Sequence, residues 1–357
     1  LAAALPEGAD WCSIADRTIS NPGEDQIRDA SVAGDEMAHD EMPAHRREAV
    51  TAIHSINRFA LSVPDLEDAR RFFTAFGLDV RDAAGGLALH AFGNAHCWAT
   101  VHASGRAKRL EYISFGVYPE DFEPLLERAR RLGVATTPAH PLSDGQGAWL
   151  RDPDGIAVQL LASPKVTPSS PPLMRPPATR PNALGVPIAP ARSQAAPARP
   201  QRLSHLLLFC TDVPRALAFY TQVLGLRLSD RSQDLIAFSH GAHSSDHHLL
   251  AWVKSEAPGL HHSSWIVNNV DEIGAGMEQM LAAGFREGWG VGRHVIGSNY
   301  FYYARDPWGS FAEFSCGIDY IDAATDWPAG DYPPEDSFYL WGPPVPEFFT
   351  INHEAQP

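Results

Sequence analysis

Residues 65–82, DLEDARRFFTAFGLDVRD, and residues 212–230, DVPRALAFYTQVLGLRLSD, are two versions of one pattern, and this repetition narrows the available folds more than any other feature of the chain. Phe72, Phe73 and Thr74 answer Phe219, Tyr220 and Thr221, and Gly77 answers Gly225 after a one-residue gap. Each stretch opens on an Asp suited to cap a helix N-terminus and closes on a Gly suited to end one. Pro214 falls near the first helical position, where its missing N–H does no harm. An apolar strand-like run precedes each helix, INRFALSV in the first body and LSHLLLFC in the second. LRLSDR, DLIAFSH and HHLLAWV follow as further strands, giving β-α-β-β-β. The unit recurs inside the second body as SSWIV, the helix VDEIGAGMEQMLAAG, and the strands YFYYARD and SFAEFSC. The prediction is an α+β chain of four such units in two domains.

Composition sets the boundaries. Residues 164–200 hold eleven prolines and no acidic residue, which favours an extended polyproline linker between folded bodies. Residues 1–50 carry eleven acidic and four basic residues and only weak periodicity, so an acidic solvated arm is expected there. This leaves an N-terminal domain over 51–163, a C-terminal domain over 201–320 and a tail over 321–357. The tail's Pro and aromatic residues suggest an extended segment laid over the folded body.

The net charge of −15 argues against nucleic acid or an anionic membrane surface as partner. No apolar run approaches the roughly 18 residues that span a bilayer. Cys12, Cys97, Cys210 and Cys316 are scattered without a CxxC pair, and LAAALPEGAD lacks the basic start of a secretory signal. Reduced thiols in a cytoplasmic protein are expected.

His205 in LSHLLLFC is, taken alone, as readily a packed core residue as a ligand. Glu313 is more telling: it interrupts the apolar run SFAEFSC, and a carboxylate within a sheet is costly unless something positive neutralises it. Two imidazoles and one carboxylate on one face of a metal form the facial triad of non-haem Fe(II) oxygenases.

The stretch GRHVIGSNYFYYARDPWGSFAEF resembles the signature of type I extradiol catechol dioxygenases of the vicinal oxygen chelate (glyoxalase-like) superfamily. The matching residues are His294, Tyr303, Asp306–Pro307–Trp308–Gly309 and Glu313. LSHLLLFCTDV, HHSSWIVNNVDEI and DHHLLAWV resemble three further strands of that family. The resemblance implies that each domain is two βαβββ modules forming an open barrel. It implies metal ligands His205, His262 and Glu313, with His261 beside the ligand register. The metal would be Fe(II), with Mn(II) as the alternative. His248, rather than its neighbour His247, would take the acid–base position, with His294 and Tyr303 on the substrate hydroxyl. The reaction implied inserts both atoms of O₂ into a small aromatic diol beside the hydroxyls, giving a muconic semialdehyde-type product in aromatic catabolism. The resemblance also implies that the tail closes the barrel mouth as a lid, with Phe338 or Trp341 as lid residues. A homo-oligomer is expected.

Leu207, His240, Ala251 and Phe301 are the expected pocket residues, Leu207 because it shares the strand face of His205. Gly297 departs from the pattern of many biphenyl-type relatives, which carry Asp there. In the first body Arg58, Tyr112 and Gln159 stand opposite His205, His262 and Glu313, so metal chemistry is expected only in the second. Two readings compete: a hydroquinone or 4-hydroxyphenylpyruvate type dioxygenase on the same scaffold, and a non-catalytic aromatic-binding protein of the bleomycin-resistance type. The His294-to-Tyr303 spacing and His248 favour the catechol enzyme over the first, and the triad counts against the second.

Overall fold

The computed structural model describes residues 45–171 and 189–355. Most of the acidic arm, Cys12 and the middle of the Pro-rich linker lie outside them.

The first half runs β1 (Ile53–Val63), α1 (Leu66–Ala75), β2 (Asp79–Ala83), β3 (Gly86–His90), β4 (Cys97–Ala103), β5 (Arg109–Val117), α2 (Pro119–Arg131), β6 (Ala148–Arg151) and β7 (Ala157–Ala162). The second runs β8 (Arg202–Cys210), α3 (Val213–Gln222), β9 (Arg227–Ser232), β10 (Ile236–His240), the short β11 (Ser245–Asp246), β12 (Leu250–Lys254), β13 (Gly259–Ile266), α4 (Val270–Ala282), β14 (Gly288–His294), β15 (Tyr300–Arg305) and β16 (Phe311–Cys316). The tail adds β17 (Tyr320–Ile321), β18 (Gly330–Asp331), α5 (Pro334–Ser337) and β19 (Tyr339–Trp341).

The repeated helices form for the reasons the sequence suggests. Asp65 accepts the Glu67 N–H at 2.7 Å and Asp212 the Arg215 N–H at 2.9 Å, each capping its helix. Gly77 and Gly225 follow with φ of +93° and +83°, a region that penalises any Cβ. A Cβ on Gly77 would also stand 2.3 Å from the Ala198 carbonyl oxygen.

Two departures from expectation have local causes. The second unit of the first half has only β6 and β7 after its helix, because residues 133–147 form no strand. Pro138 and Pro141 remove donors that a strand there would need. His247 and His248 precede β12 rather than belonging to it, since the His247 N–H is drawn to the Asp319 carbonyl at 2.7 Å.

The first sheet has the order β2-β3-β4-β1-β5-β7-β6, and the second β18-β9-β10-β12-β8-β13-β16-β15-β14-β19. In both, two units meet along an antiparallel central pair, β1 with β5 and β8 with β13. One buried apolar cluster contains residues of both halves. The Phe76 ring lies 3.9 Å from that of Phe314, and Gly276 leaves room for Phe314 where a Cβ would approach it to 2.8 Å. Among the described residues no helix is long and apolar enough to cross a membrane.

Three buried histidines make stability depend on pH. Burial, as the main cause, lowers His54 and His243 to about 4 and His240 to about 3. Their ordinary value is 6.5, so between pH 6.5 and 4 the unfolded chain binds more protons and stability is lost as pH falls. Asp152, raised to about 6 by burial, and Asp121, also raised by burial, act in the opposite sense, but they are two groups against three. The urea midpoint should therefore fall steadily from pH 7 to 4.5, and a flat midpoint would contradict this account.

Candidate metal centre

Three neighbouring strands build the site. His205 comes from β8, His262 from β13 and Glu313 from β16. The ladder registers His205 with Ser264, and Ser264 with Glu313, so the two outer side chains rise on the same sheet face. A register shift between Leu260 and His262 accompanies the arrival of His262 beside them. One ligand atom from each of the three lies within 4.8 Å of the others. Nε2 of His205 is 3.4 Å and Nε2 of His262 is 3.6 Å from Glu313 Oε2, and the two nitrogens are 3.3 Å apart.

This donor set fits a divalent cation. Glu313 is fully buried and its Oε2 has no hydrogen-bond partner, an arrangement that leaves a charged oxygen without its complement. Oε1 accepts from Asn299 Nδ2 at 3.0 Å. Burial would raise the Glu313 pKa, but the nearby His205 and His294 rings hold it below the ordinary range.

Outer hydrogen bonds select the nitrogen that each histidine presents. His261 Nε2 is 2.8 Å from the Phe349 carbonyl, which can only accept, so His261 Nδ1 is free to accept in turn. It lies 2.8 Å from Nδ1 of His262, which therefore carries its proton there and turns a bare Nε2 toward Glu313.

His248, His294 and Tyr303 line the same cavity of about 250 Å³ as the three ligand candidates, whereas His247 does not. The His248 ring lies 4.0 Å from that of His205. Burial, then the nearby His205 and His247, push its pKa well below 6.5. His294 donates from Nδ1 to the Phe338 carbonyl at 2.8 Å, leaving Nε2 to accept from the Tyr303 hydroxyl at 2.9 Å. Burial and the Glu313 charge raise the Tyr303 pKa well above its usual value, so this hydroxyl is a donor.

Of the expected pocket residues, Leu207 lines the cavity and three others do not. His240 is buried outside it, its Nδ1 2.8 Å from the Ser229 hydroxyl, next to a register shift between β9 and β10. Ala251 pairs in register with Leu207 and Phe238, which both line the cavity, but its methyl is too short to reach past them. Phe301 stands behind His294, stacked at 4.1 Å. Of the suggested lid residues Phe338 reaches the cavity, while Trp341 is 46% exposed and does not.

Phe209, Ile236, Phe238, Ile296, Asn299 and Phe349 also line the cavity, with Val253, Lys254 and Thr350 farther round the wall. Phe209 continues the alternation His205–Leu207–Phe209 and was legible on that ground. Nothing local marks Phe349, which arrives from the tail.

The first half repeats the ladder without the donors. Arg58 registers with Ser114 and Ser114 with Gln159, the same steps that link His205, Ser264 and Glu313. Tyr112 is two residues before Ser114, as His262 is before Ser264.

The model of the Glyoxalase/Bleomycin resistance protein/Dioxygenase superfamily matches residues 55–160 and 202–314. The chain is 50% identical over 305 residues to metapyrocatechase 2 of Cupriavidus necator, covering 85% of this chain and 93% of that protein. It is 25% identical over 290 residues to a biphenyl-2,3-diol 1,2-dioxygenase of Pseudomonas sp. strain KKS102, covering 76% and 92%. An extradiol ring-cleaving dioxygenase from B. fuscum superposes with a TM-score of 0.67 at 22% identity, over 87% of this chain and 83% of that one. A Mn(II)-bound glyoxalase from Novosphingobium aromaticivorans superposes with a TM-score of 0.66 at 22% identity, over 85% and 96%. The two structures speak for the fold, and the sequence relatives for the chemistry. With two sheets built from βαβ units and three donors converging on β8, β13 and β16, the chain belongs to the glyoxalase/bleomycin resistance protein/dioxygenase superfamily, with the vicinal oxygen chelate fold, and is an extradiol ring-cleaving dioxygenase dependent on a divalent metal.

Proposed function

We propose that His205, His262 and Glu313 hold Fe(II), and that the enzyme cleaves a catechol with an apolar substituent beside its diol to a muconic semialdehyde. The observation that carries this reading is the buried, unpartnered Glu313 Oε2 facing two imidazoles at the end of a cavity shared with His248, His294 and Tyr303. Divalent iron held by His205, His262 and Glu313 would supply the Lewis acidity and the redox chemistry for reaction of the diol with O₂. Two neutral imidazoles and one carboxylate leave a divalent ion one net positive charge, which suits a catecholate. Tyr303, donating to His294, gives the substrate hydroxyl's proton a place to go. Neutral His248 accepts a proton within the cavity and returns it as the ring opens. Leu207, Phe209, Ile236, Phe238 and Phe338 surround the rest of the substrate, which supports an apolar substituent. Mn(II) accepts the same donor set and is the alternative metal; the relatives include both an iron-dependent extradiol dioxygenase and a Mn(II)-bound fold neighbour. The free thiols of Cys97, Cys210 and Cys316 support a cytoplasmic setting. The exposed Leu340 and Trp341 on the edge strand β19 support a homo-oligomer.

The test is anaerobic loading with Fe(II) or Mn(II), then oxygen uptake and yellow product with catechol, 3-methylcatechol and protocatechuate. Turnover should be highest with Fe(II) and with the methylated substrate and lowest with the carboxylated one. No colour and no uptake from a metal-loaded protein would overturn the assignment. His248→Ala should keep its metal and lose turnover by about a hundredfold or more. Loss of metal from that variant would mean that ligand and proton-transfer roles are wrongly divided.

A further inference from the structure

We propose that Asp230 and His247 are positioning residues for ring cleavage, forming with His248 a buried relay that fixes which nitrogen of His248 carries its proton. The inference rests on the reading of His248 as the group that exchanges a proton in the cavity.

The relay follows from what each atom can do. Asp230, on β9, places Oδ2 2.8 Å from His247 Nε2. A carboxylate accepts, so His247 carries its proton on Nε2 and keeps a lone pair on Nδ1. That Nδ1 is 3.0 Å from Nδ1 of His248, which must then be the donor. His248 is left with a bare Nε2, which has no hydrogen-bond partner among the described residues, on a ring that lines the cavity. A nitrogen so presented can receive a proton; the other tautomer could not.

His247 is also held from every side. Its N–H donates to the Asp319 carbonyl, its carbonyl accepts from the Ser229 hydroxyl, and its ring meets Trp327 edge-on at 5.2 Å. It is fully buried and does not touch the cavity.

The two His–His pairs of the sequence use the same linkage but end differently. His262 is backed by His261 and the neutral Phe349 carbonyl, whereas His248 is backed by His247 and a carboxylate. A carbonyl suffices to orient a ligand nitrogen. A carboxylate also balances the positive charge that appears on the imidazole pair when His248 takes a proton.

Asp230→Asn gives a directed test. Asp230 Oδ1 already accepts the Gly330 N–H at 2.6 Å, so the amide oxygen of Asn must occupy that place. Its NH₂ then faces His247 Nε2, which has to accept, and both imidazole tautomers reverse. In the full chain loaded with diamagnetic Zn(II) and labelled with ¹⁵N-histidine, His248 should be protonated on Nδ1 in the wild type and on Nε2 in Asp230→Asn. Its signals are identified by their loss in His248→Gln. With iron loaded, Asp230→Asn and His247→Leu should each lower kcat by about a hundredfold, with KM and metal content unchanged. His247→Gln, whose amide can accept from His248 and donate to Asp230, should recover at least about tenfold of that loss. Wild-type His248 protonated on Nε2 would overturn the relay. The expected tautomers with kcat unchanged in both variants would overturn the positioning role alone. If His248→Gln itself turns over normally, the underlying reading of His248 fails first, and the inference with it.

Discussion

Glu313→Ala is expected to empty the metal centre. The change removes the one negative charge from a set whose remaining members are two neutral imidazoles with Nε2 atoms 3.3 Å apart. Among the described residues its neighbours are the neutral amide of Asn299, the hydroxyls of Ser264 and Tyr303 and the His294 imidazole, none of which brings a negative charge. Metal measured after desalting should fall below about a tenth of an equivalent, and kcat/KM by at least about a thousandfold, equivalent to about 4 kcal/mol. With metal, the wild type is stabilised by the ligand and a chelator should lower its Tm, whereas the same chelator should leave the Tm of Glu313→Ala unchanged. A variant that retains a full equivalent of metal would show that the carboxylate is not a ligand.

Lys108→Ala should be among the most destabilising single changes. Lys108 is only 3% exposed, its Nζ bonded to the Ser310 hydroxyl and lying 3.7 Å from Asp306 Oδ2 and 3.6 Å from Glu354 Oε1. Removing the cation strands two buried carboxylates, at about 3–5 kcal/mol. A fall in Tm of about 10 °C is expected for a chain of this size. Exchanging all three for Met, Asn and Gln should restore most of it, because the cost lies in the unpaired charge rather than in the loss of the pair. The effect should also reach the active site. Glu354 accepts the N–H groups of Leu110 and Leu260, and so ties down the tail that brings Phe349 and Thr350 to the cavity. KM should rise more than kcat falls. A Tm shift under about 2 °C would refute the charge argument.

The three ligand candidates and the Tyr303–His294 pair were legible through the resemblance of the short motifs around them to a known family's, whereas strand alternation alone left Tyr303 undistinguished from Tyr300, Phe301 and Tyr302. The pocket was less legible. Leu207 and Phe209 follow from alternation alone, whereas His240 was lost to Ser229 and Phe301 to a second layer behind His294. Phe349 lies far along the chain from His205 and lines the same cavity because Glu354 and Asn352 anchor the tail, the latter donating to Ser255 and the Ala257 carbonyl.

What the amino-acid sequence determines by itself is therefore local. The Asp-capped, Gly-terminated helices at 65–77 and 212–225 and the flanking strands follow from neighbours a few residues apart, and the ligand candidates His205, His262 and Glu313 from short motifs that resemble a known family's. The tertiary structure decides which nitrogen each histidine offers and what walls the cavity. Those depend on partners such as the Phe349 carbonyl for His261, and Asp230 for His247, and on the ladder that sets His205, Ser264 and Glu313 abreast. A hydrogen bond between distant segments has no periodicity to betray it, because its partners are brought together only when the sheet closes its register.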